Sequence, residues 1–453
     1  MERDLTQGPL LKQILSMSIP TMLGYAAQMV YDLVDIYWIG MISSEAVAGV
    51  TLFSTIFWIV SALNEIIGSS SVSLISQAYG QKDYEQTKIA IEQTISFKFL
   101  MATIAAILIA IFLKPLMLLF SDENVVKHGL DYGYIRLFFL PIMFSSYSVN
   151  TAFRCLGESK IPMNIMILVS FLNVFLDAVF MFETIPYTNL KGLNLGVFGA
   201  GLATVVSQTI SFLIGFIILF TRTHEVKPSI KGLFKLNPKI DKKLLTIGLP
   251  NGIEIFFRNL SNMVVLGFVS MFGTAAIAAN GIAGRLFGFA FVPLSGLVSG
   301  ASSVVGQCLG AENLKRAEKA SRLAAIVATL IMIIAIFLAF IFGEQVMKVF
   351  TNDHEVIKLG TDFLKFGSLG LVALGFGMGL ASVFSASGYN FPFLVSSLVS
   401  RWGVQFVILV IAIQFLNLSI RWVWLSYMFG DIAESVVFLF FYLRGDWKKK
   451  RAW

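Results

Sequence analysis

Ile75-Ser76-Gln77-Ala78-Tyr79-Gly80 and Val305-Gly306-Gln307-Cys308-Leu309-Gly310 are one segment met twice, 230 residues apart. Each closes a long apolar run, and each is followed by a polar tail that ends at Ala90 in the first copy and Ala320 in the second. A second pair keeps that offset to within one residue: Phe153-Arg154-Cys155-Leu156-Gly157 before Pro162, and Phe384-Ser385-Ala386-Ser387-Gly388 before Pro392. Anchors repeated in the same order describe two parallel halves. Many secondary transporters are built this way, with a substrate path at the interface between the halves.

The composition puts both halves in a membrane. Hydrophobic residues make up 57% of the chain, charged residues 13%, and the mean hydropathy is +0.79, whereas a soluble domain carries roughly 25% charged residues. Apolar runs of about 20 residues, enough to cross ~30 Å of hydrocarbon as helix, predict twelve spans. They lie at 14–39, 47–74, 92–113, 131–152, 163–184, 196–220, 244–270, 276–306, 323–343, 361–384, 393–415 and 422–443. The expected fold is an all-α integral membrane protein, twelve transmembrane helices in two six-helix lobes, 1–222 and 244–453, joined by a cytoplasmic linker at 223–243. No small-residue cleavage site follows a short apolar core near the start, so the first span is expected to be retained rather than removed as a signal peptide.

With the N-terminus inside, the inner segments carry 22 Lys or Arg and the outer segments 6. That bias follows the positive-inside rule, predicting a multi-pass protein of the cell inner (plasma) membrane with both termini cytoplasmic. The net charge of +7 then reads as topology and contact with anionic membrane lipids, not nucleic-acid binding. Cys155 and Cys308 fall near inner loops without metal-ligand spacing, so neither a disulfide nor a metal site is expected. Between the halves, Lys227, Lys231, Lys235, Lys239 and Lys242 recur every three or four residues, the spacing of a basic surface helix. Pro228 and Pro238 interrupt it, which leaves a plain linker as the competing reading.

Charges inside hydrocarbon are costly and usually face a cavity or a partner. The first half holds Asp32, Asp35, Glu65 and Asp177 within its spans. Gln28 and Tyr31 stand seven and four residues before Asp35, a polar stripe ending on a carboxylate, and Asn173 lies one turn before Asp177 on a shared helix face. Such a constellation can hold a proton, because desolvation disfavours a charged carboxylate, or a sodium ion among oxygen ligands. For Gln28, Tyr31 and Asn173 the alternative is helix-to-helix hydrogen bonding. Two carboxylates without an obvious basic partner fit that alternative poorly.

Other motifs exclude whole classes. The chain has no nucleotide-binding Gly-x-x-x-x-Gly-Lys-[Ser/Thr] loop, no His-Glu-x-x-His and no Gly-x-Ser-x-Gly. Three histidines, outside the spans or near their ends, do not make a proton relay. Nothing points to an enzyme, a catalytic residue, a cofactor or a bound metal other than sodium.

Taken together, Tyr31-Asp32-Leu33-Val34-Asp35-Ile36-Tyr37-Trp38-Ile39-Gly40, the Gln77/Gly80 and Gln307/Gly310 tails, the Arg154…Gly157…Pro162 turn and Gly248-Leu249-Pro250 resemble the multidrug and toxic compound extrusion family over roughly residues 10–443. The resemblance implies a twelve-helix, two-lobed antiporter that exports organic cations or amphiphiles, as a monomer, in exchange for protons or sodium. It also implies a cation site in the first lobe at Asp35, Asn173, Asp177 and, within Gly199-Ala200-Gly201-Leu202-Ala203-Thr204, Thr204, extended by Gln28, Tyr31, Asp32 and Tyr132. One branch of the family carries a glutamate eight residues past the seventh-span proline. Here that position is Arg258, a fixed cation unsuited to a sodium site in the second lobe, so the chain looks closer to the branch related to DNA-damage-inducible proteins.

In the second half Glu254 and Arg258 are spaced to pair at i, i+4, and Arg401, Asp431 and Glu434 stand where the last two spans can bring them together, all read as structural. Arg136 and Lys365 at the outer ends of spans, and Lys98 at an inner end, are expected to snorkel. Two other functions stay open. A lipid-linked oligosaccharide flippase of the same wider superfamily fits Arg258, Arg285 and Arg401, but such proteins often carry fourteen helices. An intramembrane aspartyl enzyme fits Asp35 and Asp177, but the chain lacks the Gly-x-Gly-Asp context.

Overall fold

A computed structural model of the chain describes residues 4–188, 190–221 and 225–453. These are helical almost throughout, with one isolated bridge between Thr184 and Lys191. The first half contains α1 (Leu10–Gly40), α2 (Ser44–Gly80), α3 (Tyr84–Leu118), α4 (Glu123–Phe138), α5 (Leu140–Cys155), α6 (Lys160–Met181) and α7 (Gly196–Thr221). A four-residue α8 (Ile230–Leu233) precedes α9 (Pro238–Ser270), α10 (Thr274–Gly310), α11 (Leu314–Phe350), α12 (His354–Ser368) and α13 (Leu371–Ser387). The run Phe391–Phe415 combines α14 (Phe391–Ser397) and α15 (Phe406–Leu409) with π-helical turns at Leu398–Gln405 and Val410–Phe415, and α16 (Arg421–Arg444) follows.

Every predicted span coincides with a helical body, but three are not single α-helices. The fourth, expected unbroken over 131–152, is α4 and α5 interrupted at Phe139. Pro141 lacks a backbone N–H and its ring opens the preceding turn. The tenth is α12 and α13, bent by 47°, and the eleventh carries the π-helical turns. Among the described residues nine helices are long and apolar enough to cross a membrane, ten when the bent pair is counted once. Of the other two bodies, α1 is diluted by Gln28, Asp32 and Asp35, and the α4–α5 pair is broken.

The repeated anchors have a backbone reason. After α2, Lys82 takes a positive φ of 60° and the Asp83 carboxylate accepts from Gln86 N at 2.9 Å; after α10, Glu312 has φ 59° and the Asn313 side chain accepts from Arg316 N at 3.1 Å. Both tails are the same reverse turn closed by the same N-cap. Gly157 and Gly388 match likewise, at φ 85° and 75°, where a side chain costs about 1–2 kcal/mol. Gly388→Ala is therefore expected to destabilise the purified protein by that order, read as a lower apparent thermal midpoint.

Two compact units emerge: Met1–Asp4 with Leu23–Gly248, and Leu5–Met22 with Leu249–Trp453. The boundaries fall inside α1, two residues past Pro20, and inside α9, between Gly248 and Leu249. In the first unit Phe53, Leu113, Met117, Tyr132 and Phe144 form the core. In the second, Leu297, Ala301 and Val305 of α10 pack with Ala320, Ala324 and Ala328 of α11 and Phe384 of α13, and Phe363 stacks on Trp424 at 4.4 Å in a separate cluster. Between helices in lipid the hydrophobic effect offers little, so close approach of small residues does the packing. A Cβ on Gly375 would lie 2.9 Å from the Ala328 carbonyl oxygen, and one on Gly379 would collide with Ala325 Cα.

The segment between the halves is not a continuous basic helix. Only Ile230–Leu233 is helical, and the strand of chain around it is held to α3: Glu92 Oε1 accepts from Ser229 N at 2.6 Å, and Gln93 donates to Lys235 O and accepts from Asn237 N at 2.8 Å. Residues 222–224, at the start of the expected linker, lie outside the described residues.

Candidate functional site

The polar stripe of α1 points into the first unit. Gln28, Tyr31 and Asp35 recur at i, i+3 and i+7, and Tyr31 and Asp35 are buried, whereas Asp32 is exposed yet lies within electrostatic reach of Arg136 and Asp35. Tyr132 of α4 donates its hydroxyl to Asp35 Oδ2 at 3.0 Å. The other carboxylate oxygen, Oδ1, is buried with no hydrogen-bond partner among the described residues. From α6 come Asn173 and Asp177, both buried, and Asp177 lies within electrostatic reach of Asp35. Thr204 of α7 is buried with its hydroxyl on the Ala200 carbonyl at 3.1 Å.

Arg136 does not snorkel. It lies half-buried, donating from Nη1 to the Tyr132 hydroxyl at 2.6 Å, its guanidinium 5.2 Å from the Phe57 ring centroid and 5.0 Å from that of Tyr132. The carboxylates thus have a basic neighbour that hydropathy hid, and a relay runs Arg136–Tyr132–Asp35. The signal was present in the spacing: Arg136 is four residues after Tyr132, on the same face of α4. Lys98 also departs from expectation. Its side chain is buried, with Nζ 5.9 Å from the Phe144 ring centroid, and α3 begins at Tyr84, ahead of the predicted span, which puts Lys98 inside the helix rather than at its end.

Next to these groups is a polar crevice with a cavity volume of about 10 Å³, lined by Gln28, Tyr31, Tyr147, Asn150, Met166, Val169, Ser170, Gln208 and Ser211. Gln28 donates to the Tyr147 hydroxyl at 3.4 Å and Gln208 to that of Tyr31 at 3.3 Å. Sequence reading passed over Gln208 and Ser211, although they follow Thr204 at i+4 and i+7 on α7. The cavity is about the space of one water molecule, so this arrangement has room for a small ion or a water but not for a large ligand.

The second unit gathers five charges. Arg258 Nε lies 2.5 Å from Glu254 Oε1 and its Nη2 2.7 Å from Glu434 Oε1; Arg401 Nη2 lies 3.3 Å from Glu434 Oε2 and 3.0 Å from Asp431 Oδ1. Glu434 therefore joins two pairs into one chain. Arg401 stands in the π-helical turn Leu398–Gln405, a widening of the helix often found at functional positions.

Two halves of six helical spans with charges buried among apolar helices define a secondary transporter. The family model described as MatE matches residues 20–179 and 250–411, once in each half, and the chain belongs to that family, whose members are transporters and not enzymes. Among curated relatives it is 27% identical over 437 residues to the probable multidrug resistance protein YoeA of Bacillus subtilis (strain 168), covering 96% of this chain and 93% of that one. Multidrug export protein MepA of Staphylococcus aureus (strain MSSA476) is 26% identical over 392 residues, 84% of this chain and 83% of its own. A solved structure of MATE in the straight conformation superposes with a TM-score of 0.90 at 24% identity, covering 98% of each chain. The likeness in fold extends over all twelve spans.

Proposed function

We propose that this protein is a secondary active antiporter that exports cationic or amphiphilic drugs and toxins in exchange for protons or sodium ions. Alternating access takes place between lobes 1–222 and 244–453, and the protein works as a monomer in the plasma membrane with both termini cytoplasmic. The observation that carries this reading is Asp35: a buried carboxylate with one oxygen held by Tyr132 and the other open, in reach of Asp177. The names of YoeA and MepA support the substrate class. Loading a cation between Asp35 and Asp177, with Asn173 and Thr204 beside them, removes a repulsion between α1 and α6 and changes the packing of the crevice, which links ion entry to drug release. Arg136 keeps Asp35 from being an isolated charge when the site is empty.

The test is export of a fluorescent organic cation from proteoliposomes under separately imposed proton and sodium gradients. Export driven by either gradient supports the reading and names the ion; equilibration without accumulation under both removes it. Transport of a lipid-linked oligosaccharide instead would select the flippase. Within the same assay Asp32→Asn should retain most of the export, because Asp35 is the buried carboxylate at the family's cation position, whereas Asp32, though in its electrostatic reach, is exposed. If Asp32→Asn proves more damaging than Asp35→Asn, the wrong carboxylate of α1 has been assigned.

A further inference from the structure

The chain Glu254–Arg258–Glu434–Arg401–Asp431 alternates acid and base and ends on an acid at both sides. Three carboxylates face two guanidiniums. Glu254, Arg401, Asp431 and Glu434 are buried, and Arg258 is one-third exposed. An uncompensated negative charge among membrane-spanning helices is costly, and the bases that act on its acids are Arg258 and Arg401. On α16 the remaining titratable neighbour is Tyr427; α13 and α14 carry none; on α12, Asp362 is engaged by Arg421 at 3.1 Å and Lys365 acts on Glu344. Among the described residues the nearby polar groups are neutral: Ser400 and Gln405, which contact Glu434 and Arg401.

We propose that the second unit binds one exchangeable proton on this chain, with Asp431 as its resting place, a site separate from the Asp35 cluster. Asp431 is the weaker end. Its partner nitrogen, Arg401 Nη2, is shared with Glu434, whereas Glu254 has Arg258 Nε at 2.5 Å to itself. Arg401 Nε is buried and has no hydrogen-bond partner among the described residues. An ionised Asp431 can take both Nε and Nη2 in a fork, the geometry that guanidinium and carboxylate prefer; the protonated acid leaves Nε unused, as found. The position also gives the proton a lever. A Cβ on Gly370, in the break between α12 and α13, would lie 2.8 Å from Asp431 Cβ and 3.0 Å from Oδ2, so gain or loss of the proton acts where the tenth span bends.

This inference stands whether or not the first unit couples transport, and its test does not read transport. Infrared spectra of the purified full-length protein count protonated carboxyls by their carbonyl stretch. At neutral pH the wild type should show one more such carboxyl than Asp431→Asn. Charge balance makes a sharper demand: Glu254→Gln, at the far end, should also lose one, since two carboxylates then match two guanidiniums. The Asp431→Asn/Glu254→Gln double variant should lose no more than either alone. If Asp431→Asn does not fold, Glu254→Gln and the loss of the wild-type band at alkaline pH report the same proton. An unchanged band in both single variants overturns the proposal, and so does a loss confined to Asp431→Asn. Replacing choline by sodium at constant ionic strength should leave the band intact; its disappearance would mean that sodium, not a proton, is the resident ion.

Discussion

Asp35→Asn and Asp177→Asn are each expected to abolish gradient-driven accumulation while leaving a folded protein that still binds substrate. One charge moving inward across 100 mV is worth about 2.3 kcal/mol, enough to sustain a concentration ratio of roughly fiftyfold; in either variant the ratio should fall to that of passive equilibration. Two carboxylates sharing one pocket titrate as a pair, so the double variant should be little worse than the singles. The measurement is dye export from proteoliposomes at matched reconstitution, with substrate binding followed separately by tryptophan fluorescence. Undiminished accumulation in either single variant would sink the coupling role of the first unit. Loss of binding together with transport would instead make these residues substrate contacts.

The largest effect on stability should come from Arg401. It is buried, and it links Asp431 to Glu434. Breaking a buried pair from one side leaves an uncompensated charge and costs roughly 3–5 kcal/mol, so Arg401→Gln should sharply reduce folded yield and apparent thermal midpoint. Adding Glu254→Gln leaves Glu434 and Arg258 as one matched pair beside a protonated Asp431, and much of the loss should be recovered. Equal destabilisation in the single and double variants would show that Arg401 acts through packing rather than charge.

Duplication, membrane class and the position of twelve spans were legible in the sequence because they rest on local facts: hydropathy over about 20 residues, and turns whose chemistry is confined to a few positions. Gly157 and Gly388, or Asp83 and Asn313, carry their reason in the backbone, and a repeat of residues therefore predicted a repeat of geometry. The i, i+4 pairing of Glu254 with Arg258 was of the same kind.

What lay beyond reach depended on which faces meet. Hydropathy located Arg136 at a helix end and left it to water, whereas the tertiary structure turns it onto Tyr132 and Phe57 and so supplies the carboxylate cluster with a base. Lys98 was misjudged for the same reason: an end-of-span position says nothing about whether a neighbouring helix covers it. Glu434 could be named but not placed, since joining Arg258 to Arg401 requires α9, α16 and a π-helical turn to converge. By itself the sequence determined that charges would be buried in both halves. Only the packing of helices decided their partners, because an ion's energy in hydrocarbon is set by neighbours a few ångströms away that are distant along the chain.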